Sequence, residues 1–409
     1  MIAVAMSTIM LNEPTTCSPA RVEARGIPAF CWAMLAVVVL RACILCTGLL
    51  SIHLAPPGLV SQFNVEHPWL AFDARSYREL ALHGYAANRE GTPYEGASSF
   101  TLIAYFPMVP LVSRALSSII PLDAVMVVGS NVCSLLGFVF LYAWARRLAG
   151  TRAAVITVLV AATFPGAVSF AAGMTEGPFF MLVAIALWLL GKDCFFAAAV
   201  VAGVATATRP TGIALAMIVP LSAWVRQGSL PWPQRLTNFV LLGAISFGGI
   251  IAYEAFLWHR FQSPTAYFDA QSHWNDLNQA KLLIESARHV DRHSWHFFLD
   301  SLVRPQAWNR ALALVICAIS LIGLIKPMGV PRIAFFLPLV IFLMTSLPGR
   351  GLRISSVPRY ESAAMPLFLL IAVWLLPHRR ARALASLLVL QFAVQIYYAA
   401  LFTRGIWVG

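Results

Sequence analysis

The sequence predicts an all-α polytopic membrane protein, and three observations support that prediction. Of the 409 residues, 59% are hydrophobic and only 11% are charged, whereas about 25% charged residues is usual in a soluble domain. The mean hydropathy is +0.76. Apolar stretches long enough to cross a bilayer as helices recur from Pro28 to the C-terminus. This composition excludes a soluble globular class.

The chain carries a formal net charge of +12. In a soluble protein this charge would indicate nucleic-acid binding, but no basic-aromatic module of that kind is visible in the sequence. In a membrane protein, lysine and arginine collect in cytoplasmic loops and contact anionic lipid headgroups. We therefore expect membrane lipids as partners and no nucleic acid.

The lengths of the apolar segments predict about eleven transmembrane helices. They are residues 28–52, 123–145, 153–173, 177–191, 194–208, 210–225, 236–258, 307–325, 333–347, 360–377 and 383–403. Short basic connectors place the N-terminal tail, residues 1–27, in the cytoplasm by the positive-inside rule. The segment 105–120 is short and contains two prolines, so we expect an interfacial or re-entrant helix there.

The same topology predicts one membrane domain, residues 28–409, with two long segments on its outer face. The first outer loop, residues 53–122, concentrates charged side chains around Asp73. The second, residues 259–305, lies outside although it is basic, because long loops follow the charge rule less strictly. The polar motifs at 174–176, 209–210 and 349–360 fall on that outer side as well.

Asp73 is the central candidate for chemistry. Residues 75–85, which follow it, have the apolar spacing of a short amphipathic helix. A carboxylate held just above a bilayer beside aromatic rings can act as a general base. The structural alternative is an N-cap, since an Asp before a helix commonly accepts hydrogen bonds from its backbone.

Three further charged residues stand at the ends of predicted spans. Glu176 opens a helix, where the dipole alone favours an acid; in a functional role it would hold an acceptor hydroxyl or position Asp73 through a basic partner. Arg209 and Arg359 have guanidinium forks that suit a phosphate. The alternative for such arginines is anchoring to lipid headgroups.

The second outer loop adds candidates for sugar contact and for a metal. Gln271 offers an amide for hydroxyl groups, and Trp274 offers an indole face for a sugar ring. His289, His293 and His296 share one helical face, which would suit either a metal site or an interfacial helix. Because no carboxylate stands at ligand spacing, the sequence predicts no metal and no other cofactor.

Several motifs, taken in their order and spacing, resemble one family. They are Phe72-Asp73 with Tyr77 and Gly84-Tyr85, the run Tyr105–Pro110, Thr175-Glu176, Arg209–Gly212, the F-x-x-P and A-Q-x-x-W elements between Phe261 and Trp274, and Arg359-Tyr360. Together they resemble the PIG-V-type GPI mannosyltransferase 2 family and its bacterial relatives, within the GT-C superfamily of glycosyltransferases. Phe72 stands where that family has Trp.

The resemblance implies a GT-C-like bundle with interfacial helices in the first outer loop and an active site facing the periplasm or lumen. It implies a polyprenyl (dolichyl) phosphate mannose donor, a lipid-linked or glycan acceptor, and transfer by inversion with Asp73 as the base. Arg209 and Arg359 would bind the donor phosphate. The expected substrate contacts are Tyr77, Tyr105, Gln271, Trp274 and Tyr360. The absence of a retrieval signal favours a bacterial inner membrane over the endoplasmic reticulum.

Two alternatives stay open from the sequence. One is a polytopic transporter or lipid flippase, in which Glu176 and Arg209 would be intramembrane coupling charges. The sequence shows no inverted repeat of the kind that transporters often have. The other is a GT-C enzyme with a different sugar donor or a protein acceptor.

Overall fold

The computed structural model describes residues 26–56, 58–85, 99–272, 305–326, 330–346 and 357–407, and no strand occurs among them. The α-helices in this part of the chain are α1 (Gly26–His53), α2 (Gln62–Glu66), α3 (Asp73–His83), α4 (Met108–Leu116), α5 (Leu122–Thr163), α6 (Glu176–Gly191), α7 (Phe195–Thr208), α8 (Ile213–Arg226), α9 (Trp232–Ser246), α10 (Gly248–Phe261), α11 (Ala266–Ser272), α12 (Pro305–Ile325), α13 (Phe336–Ser346), α14 (Val357–Glu361), α15 (Met365–Leu375) and α16 (Ala381–Thr403). Short 3-10 turns lie at Ser99–Ala104, Pro165–Ala171, Pro210–Gly212, Arg332–Phe335 and His378–Arg380.

This all-helical architecture confirms the predicted class of membrane protein. Within the described residues, three helices are long and apolar enough to cross a bilayer, at Pro28–His53, Leu122–Thr163 and His378–Thr403. Two bent pairs of helices pass the same test when each pair is taken together, and five shorter apolar helices accompany them. The number of eleven spans stays a prediction.

Helix α5 contains the predicted span 123–145 and the first half of the predicted span 153–173. Its 42 residues would extend about 63 Å if straight, roughly twice the thickness of a hydrocarbon core. The helix is interrupted at Gly150, where φ is 83° and ψ is 175°, a conformation that glycine adopts without a steric penalty. The second piece ends at Thr163 and not at residue 173 as predicted, because Pro165 disfavours helical geometry at Phe164.

Two other predicted spans are each divided in the structure. The segment predicted at 236–258 consists of α9 and α10, bent by 54° at Phe247. The bend lets Gly249 pack directly on the backbone of α7, where a side chain would collide with the carbonyl oxygen of Gly203. The span predicted at 360–377 begins instead as the short helix α14, and α15 follows only from Met365.

The region between α1 and α5 contains the short helices expected there. Helix α3 buries Ala74, Tyr77, Leu80 and Ala81, the apolar face that the sequence spacing predicts. Helix α4 has nine residues, which is too short for a span and consistent with an interfacial or re-entrant segment. The two short helices pack on each other and on the start of α5.

Helices α1 and α16 run side by side and bring the end of the chain to α3. The hydroxyl groups of Ser51 and Thr403 lie 2.8 Å apart, near the ends of the two helices. Beyond this contact, the rings of Phe72 and Trp407 pack edge to face with their centroids 4.9 Å apart. The packing therefore places Trp407 against Phe72, the residue that precedes Asp73.

Candidate active site

Four charged side chains from four separate parts of the chain meet in one cluster, which we call the central cluster: Asp73, Glu176, Arg209 and Arg359. The Oδ2 atom of Asp73 lies 2.6 Å from Nη2 of Arg359. The Oε1 atom of Glu176 accepts from both Nε of Arg359 and Nη1 of Arg209. Arg359 therefore links the two carboxylates to each other.

Three members of the central cluster are buried and one is accessible. Glu176, Arg209 and Arg359 are 3%, 4% and 6% exposed, whereas the side chain of Asp73 is 24% exposed. Buried charges are costly unless they are paired, and these charges pair with each other. Asp73 is thus the member of the cluster that a substrate can reach.

The backbone before α3 determines where the Asp73 carboxylate points. Asp73 is the first residue of the helix and does not cap it, so the N-cap interpretation is wrong. The preceding residue, Phe72, has φ 57° and ψ −127°, a sparsely populated conformation that costs about 1–3 kcal/mol. Such strain is typical of functional sites, and here it accompanies a carboxylate aimed at Arg359.

The second oxygen of Asp73 is held by a tyrosine. The hydroxyl group of Tyr105 donates to Oδ1 of Asp73 over 3.1 Å. Burial raises the pKa of Tyr105, and the nearby Asp73 charge raises it further. The hydroxyl therefore stays protonated and remains a donor.

The backbone of Tyr105 is fixed in turn by two further hydroxyl groups. Tyr85 and Tyr253 donate to its carbonyl oxygen, over 2.5 Å and 3.3 Å. Tyr253 also donates to the carbonyl oxygen of Ile103 over 2.5 Å. The second of these tyrosines lies on α10, so the bent pair α9–α10 helps to position the ring that contacts Asp73.

Tyr77 and Thr175 complete the contacts between α3 and the arginines. The ring of Tyr77 packs edge to face on that of Tyr105, with centroids 5.1 Å apart. The Thr175 hydroxyl donates to the Tyr77 oxygen over 3.4 Å and accepts from Nη1 of Arg209 over 3.1 Å. Hydrogen bonds therefore connect the Arg209 side of the cluster to the helix that begins with Asp73.

Aromatic rings surround the two guanidinium groups. Arg209 lies over the ring of Tyr360, 4.8 Å from its centroid, and Arg359 lies over the indole of Trp407 at 5.2 Å. Burial by itself lowers the pKa of Arg359, but the carboxylates of Asp73 and Glu176 outweigh it and hold that pKa well above the ordinary value. Arg359 is therefore a permanent cation.

A glycine contact sets the position of α14, which contains Arg359. Gly166, in the 3-10 turn after α5, packs against the backbone of Pro358, and a Cβ atom there would overlap the carbonyl oxygen of Pro358. Because Gly has no side chain, the turn and α14 can come this close. The backbone of Arg359 thus depends on Gly166.

The structure describes most, but not all, of the residues that the sequence singles out. It brings together Asp73, Tyr77, Tyr105, Glu176, Arg209, Arg359 and Tyr360. Gln271 lies on α11, but its side chain is outside the described part of the chain, as are Trp274, His289, His293 and His296. Among the described residues there is no group of three or more possible metal ligands.

Sequence reasoning missed three residues at or near the cluster. Trp407 and Tyr253 belong to no motif, and no local signal distinguishes them from other membrane aromatics. Glu361 is 2% exposed, and neither carboxylate oxygen has a hydrogen-bond partner among the described residues. An acid at the start of an apolar run, two residues after Arg359, was the signal that could have found it.

A second charged cluster lies nearer the surface and joins the same loop to α5; we call it the outer cluster. Asp123, at the start of α5, accepts from Nε of Arg78 over 2.6 Å and lies 2.8 Å from Nδ1 of His67. The side chains of these residues are 24–29% exposed. This cluster fastens α3 and the segment before it to the bundle.

The sequence of the middle of the chain matches a known family. Residues 106–247 match the family model for dolichyl-phosphate-mannose-protein mannosyltransferase. The matched stretch includes Glu176 and Arg209 but neither Asp73 nor Arg359, and it is less than half of the chain. It supports the GT-C glycosyltransferase superfamily, and it does not show the PIG-V-type family in particular. No curated protein matches the chain.

Among solved structures, the chain is similar to the oligosaccharyltransferase of Archaeoglobus fulgidus. The apo form has a TM-score of 0.46 and 13% identity, covering 95% of this chain and 57% of that one. The form tethered to an acceptor peptide has a TM-score of 0.44 and 12% identity, covering 92% and 55%. AglB in complex with an inhibitory peptide and a dolichol-phosphate also has a TM-score of 0.44 and 12% identity, covering 92% of this chain and 56% of that one. The chain thus spans little more than half the length of these proteins.

Proposed function

We propose that this protein is a membrane glycosyltransferase that moves a sugar from a polyprenyl (dolichyl) phosphate donor to a lipid-linked or glycan acceptor. The observation that carries the proposal is the central cluster, in which the accessible carboxylate of Asp73 contacts the buried guanidinium of Arg359 at 2.6 Å. A base beside a fixed cation is what sugar transfer from a phosphate requires, because one group takes up a proton and the other receives an anion.

In this proposal Asp73 accepts the proton of an acceptor hydroxyl group. The hydroxyl oxygen forms a bond to the anomeric carbon, the bond from that carbon to the phosphate oxygen breaks, and its electron pair leaves with the phosphate. Attack from the face opposite the phosphate inverts the anomeric centre. Tyr105 keeps the Asp73 carboxylate oriented through its hydrogen bond to Oδ1.

The leaving group is stabilised by cations and does not need to be protonated by an acid, since a phosphate anion is already stable in water. Arg359 is the main candidate for contacting it, and Arg209 is the second. Both are buried and both are held by Glu176, so their charges are in place before the reaction begins. Preorganised charges of this kind lower the barrier, because no solvent or side chain has to reorganise during the reaction.

Mannose is the favoured sugar, for two reasons that involve different parts of the chain. The motifs around Asp73 and Arg359 resemble those of PIG-V-type mannosyltransferases, and residues 106–247 match the dolichyl-phosphate-mannose-protein mannosyltransferase family. The description of the matched family includes a protein acceptor. A protein hydroxyl group is therefore the alternative to a glycan acceptor. We place the reaction on the periplasmic face of a bacterial inner membrane, in keeping with the predicted topology.

The test is transfer of radiolabelled mannose from polyprenyl-phosphate-mannose in membranes that contain the protein. Asp73→Asn should lower transfer by about 10²–10⁴-fold, the usual contribution of a general base. The matched control is Glu79→Gln, which removes a carboxylate from the same helix; within the described part of the chain its ion pair is with His83, at 3.7 Å. Equal transfer by wild type and Asp73→Asn would exclude Asp73 as the base.

If neither protein transferred mannose, other lipid-linked sugars would be tested next as donors, followed by the transporter alternative. For the latter, the nearly complete burial of the Glu176–Arg209 pair is the favourable observation. Movement of a lipid-linked sugar across vesicles without any transfer would identify that function.

A further inference from the structure

We infer that the Asp73 carboxylate occupies the place of the donor phosphate on Arg359, so that donor binding breaks the Asp73–Arg359 ion pair and frees the base. This inference rests on the proposed function and goes beyond it, since it specifies an order of events. The donor binds first and exchanges with the carboxylate, and only then is the acceptor hydroxyl activated.

Arg359 contacts two carboxylates through different nitrogen atoms. Its Nη2 atom contacts Asp73, and its Nε atom contacts Glu176. The Asp73 contact is the accessible one, because that side chain is 24% exposed whereas Glu176 is buried. A phosphate oxygen that approaches from the exposed side therefore meets the Nη2 atom that Asp73 now contacts.

The Asp73 carboxylate is fully engaged in this structure. Its Oδ2 atom contacts Nη2 of Arg359 at 2.6 Å, and its Oδ1 atom accepts from the Tyr105 hydroxyl over 3.1 Å. Both oxygens that could accept the proton of an acceptor hydroxyl group therefore already contact another donor. Transfer of Arg359 to the phosphate releases Oδ2 at the moment when the base is needed.

Negative charge moves from Asp73 to the phosphate during the reaction. One negative charge begins on Asp73 and one on the donor phosphodiester. After transfer, Asp73 holds the proton and is neutral, while the released phosphate monoester carries the second charge. Arg359 lies next to the group that loses charge and, after exchange, next to the group that gains it. Its interaction therefore strengthens along the reaction, which is what accelerates a chemical step.

The cavity beside Arg359 is small. The cavity beside it, lined by Gly166, Met174, Tyr398, Phe402 and Trp407 among others, has a volume of about 20 Å³. That is room for about one water molecule and far less than a sugar phosphate needs. A donor phosphate on Arg359 therefore has to take the place of a group that now contacts it, and Asp73 is the exposed one, while Glu176 keeps Arg359 and Arg209 in place.

The test measures binding of a polyprenyl phosphate to the purified full-length protein, with polyprenol as the control for the lipid chain alone. Asp73→Asn removes the competing charge but keeps the shape of the side chain, so it should bind the phosphate about tenfold more tightly than wild type. Arg359→Gln should bind it at least tenfold more weakly. Glu79→Gln, which removes a carboxylate from the same helix, should stay within about twofold of wild type.

Glu176→Gln separates exchange from a general effect of charge. It also removes a carboxylate that contacts Arg359, but one that positions the arginines and does not stand in for the phosphate. We expect weaker binding from this variant once thermal unfolding shows that it is folded. If Glu176→Gln tightened binding as Asp73→Asn does, simple repulsion would explain both and the exchange would be wrong.

The same experiment distinguishes this inference from the proposed function. Unchanged or weaker binding by Asp73→Asn, together with loss of binding by Arg359→Gln, would overturn the exchange and leave the phosphate site on Arg359 intact. Unchanged binding by Arg359→Gln, or equal binding of polyprenol and polyprenyl phosphate, would remove the phosphate site itself.

Discussion

The central and outer clusters use the same kinds of side chain for different purposes. Each joins α3 to the helical bundle through contacts between carboxylates and cations. In the central cluster three of four members are at most 6% exposed, whereas in the outer cluster every side chain is about one-quarter exposed. An ion pair that solvent screens contributes little stability, about 0–1 kcal/mol. The outer cluster therefore serves to hold α3 against the bundle.

Burial of the central cluster costs desolvation free energy, which the partly exposed pairs of the outer cluster largely avoid. Apolar residues of similar size would often hold such a position as well or better. Retention of two carboxylates and two arginines in a buried site therefore indicates that the charges themselves are used, as the proposed function requires.

The largest expected effect is on stability, when one member of the buried cluster loses its charge. Glu176→Gln leaves Asp73 as the one remaining carboxylate of the central cluster, opposite two buried arginines. We therefore expect a loss of about 3–5 kcal/mol in the free energy of unfolding. Asp123→Asn, the corresponding change in the outer cluster, should cost about 1 kcal/mol or less. Thermal unfolding of both variants in one detergent measures the difference, and equal losses would mean that burial does not distinguish the clusters.

The next effect is on activity. Arg359→Gln should lower the rate of sugar transfer by about 10²–10³-fold, because it removes a preorganised cation from the departing phosphate. Arg78→Gln removes an arginine that also pairs with a carboxylate, but in the outer cluster. We expect its initial rate to stay within about fivefold of wild type. Similar losses in both variants would show that the arginines act only by holding α3 in place.

A smaller effect is expected where the backbone supports Arg359. Gly166→Ala places a Cβ atom against Pro358, and overpacking of this kind typically costs about 1–3 kcal/mol. The control is Gly129→Ala on α5. A Cβ atom there would meet nothing within 4 Å, so this substitution should stabilise the helix by about 0.5–1 kcal/mol. Unfolding midpoints that move in opposite directions would confirm the close contact, and a neutral Gly166→Ala would contradict it.

The smallest effect concerns the tyrosines that hold Tyr105. Tyr253→Phe removes the donor to two carbonyl oxygens, while Tyr85 still satisfies one of them. We expect a loss of about 0.5–1.5 kcal/mol in the free energy of unfolding, the net value of a typical hydrogen bond. Tyr397→Phe, at a ring that is 58% exposed, should change nothing measurable in the same assay.

Much of the helical framework could be predicted because it depends on local sequence. The apolar face of α3, the start of α6 at Glu176 and the shortness of α4 all follow from spacing, charge and proline content over a few residues. The sequence did not predict breaks that depend on neighbours in space: α9 and α10 bend at Phe247, where Gly249 packs on α7. A hydropathy pattern contains no information about such a contact.

The sequence by itself determined that this is an all-α membrane protein and that Asp73, Glu176, Arg209 and Arg359 are the charges to examine, since a charge in an apolar chain is costly and therefore conspicuous. Only the tertiary structure decided which of them touch. Asp73 pairs with Arg359, not with the backbone of its own helix, because α14 packs on the turn at Gly166 and the chain turns sharply at Phe72, just before Asp73. Contacts between residues so far apart in sequence depend on how the helices pack, and local sequence does not specify that.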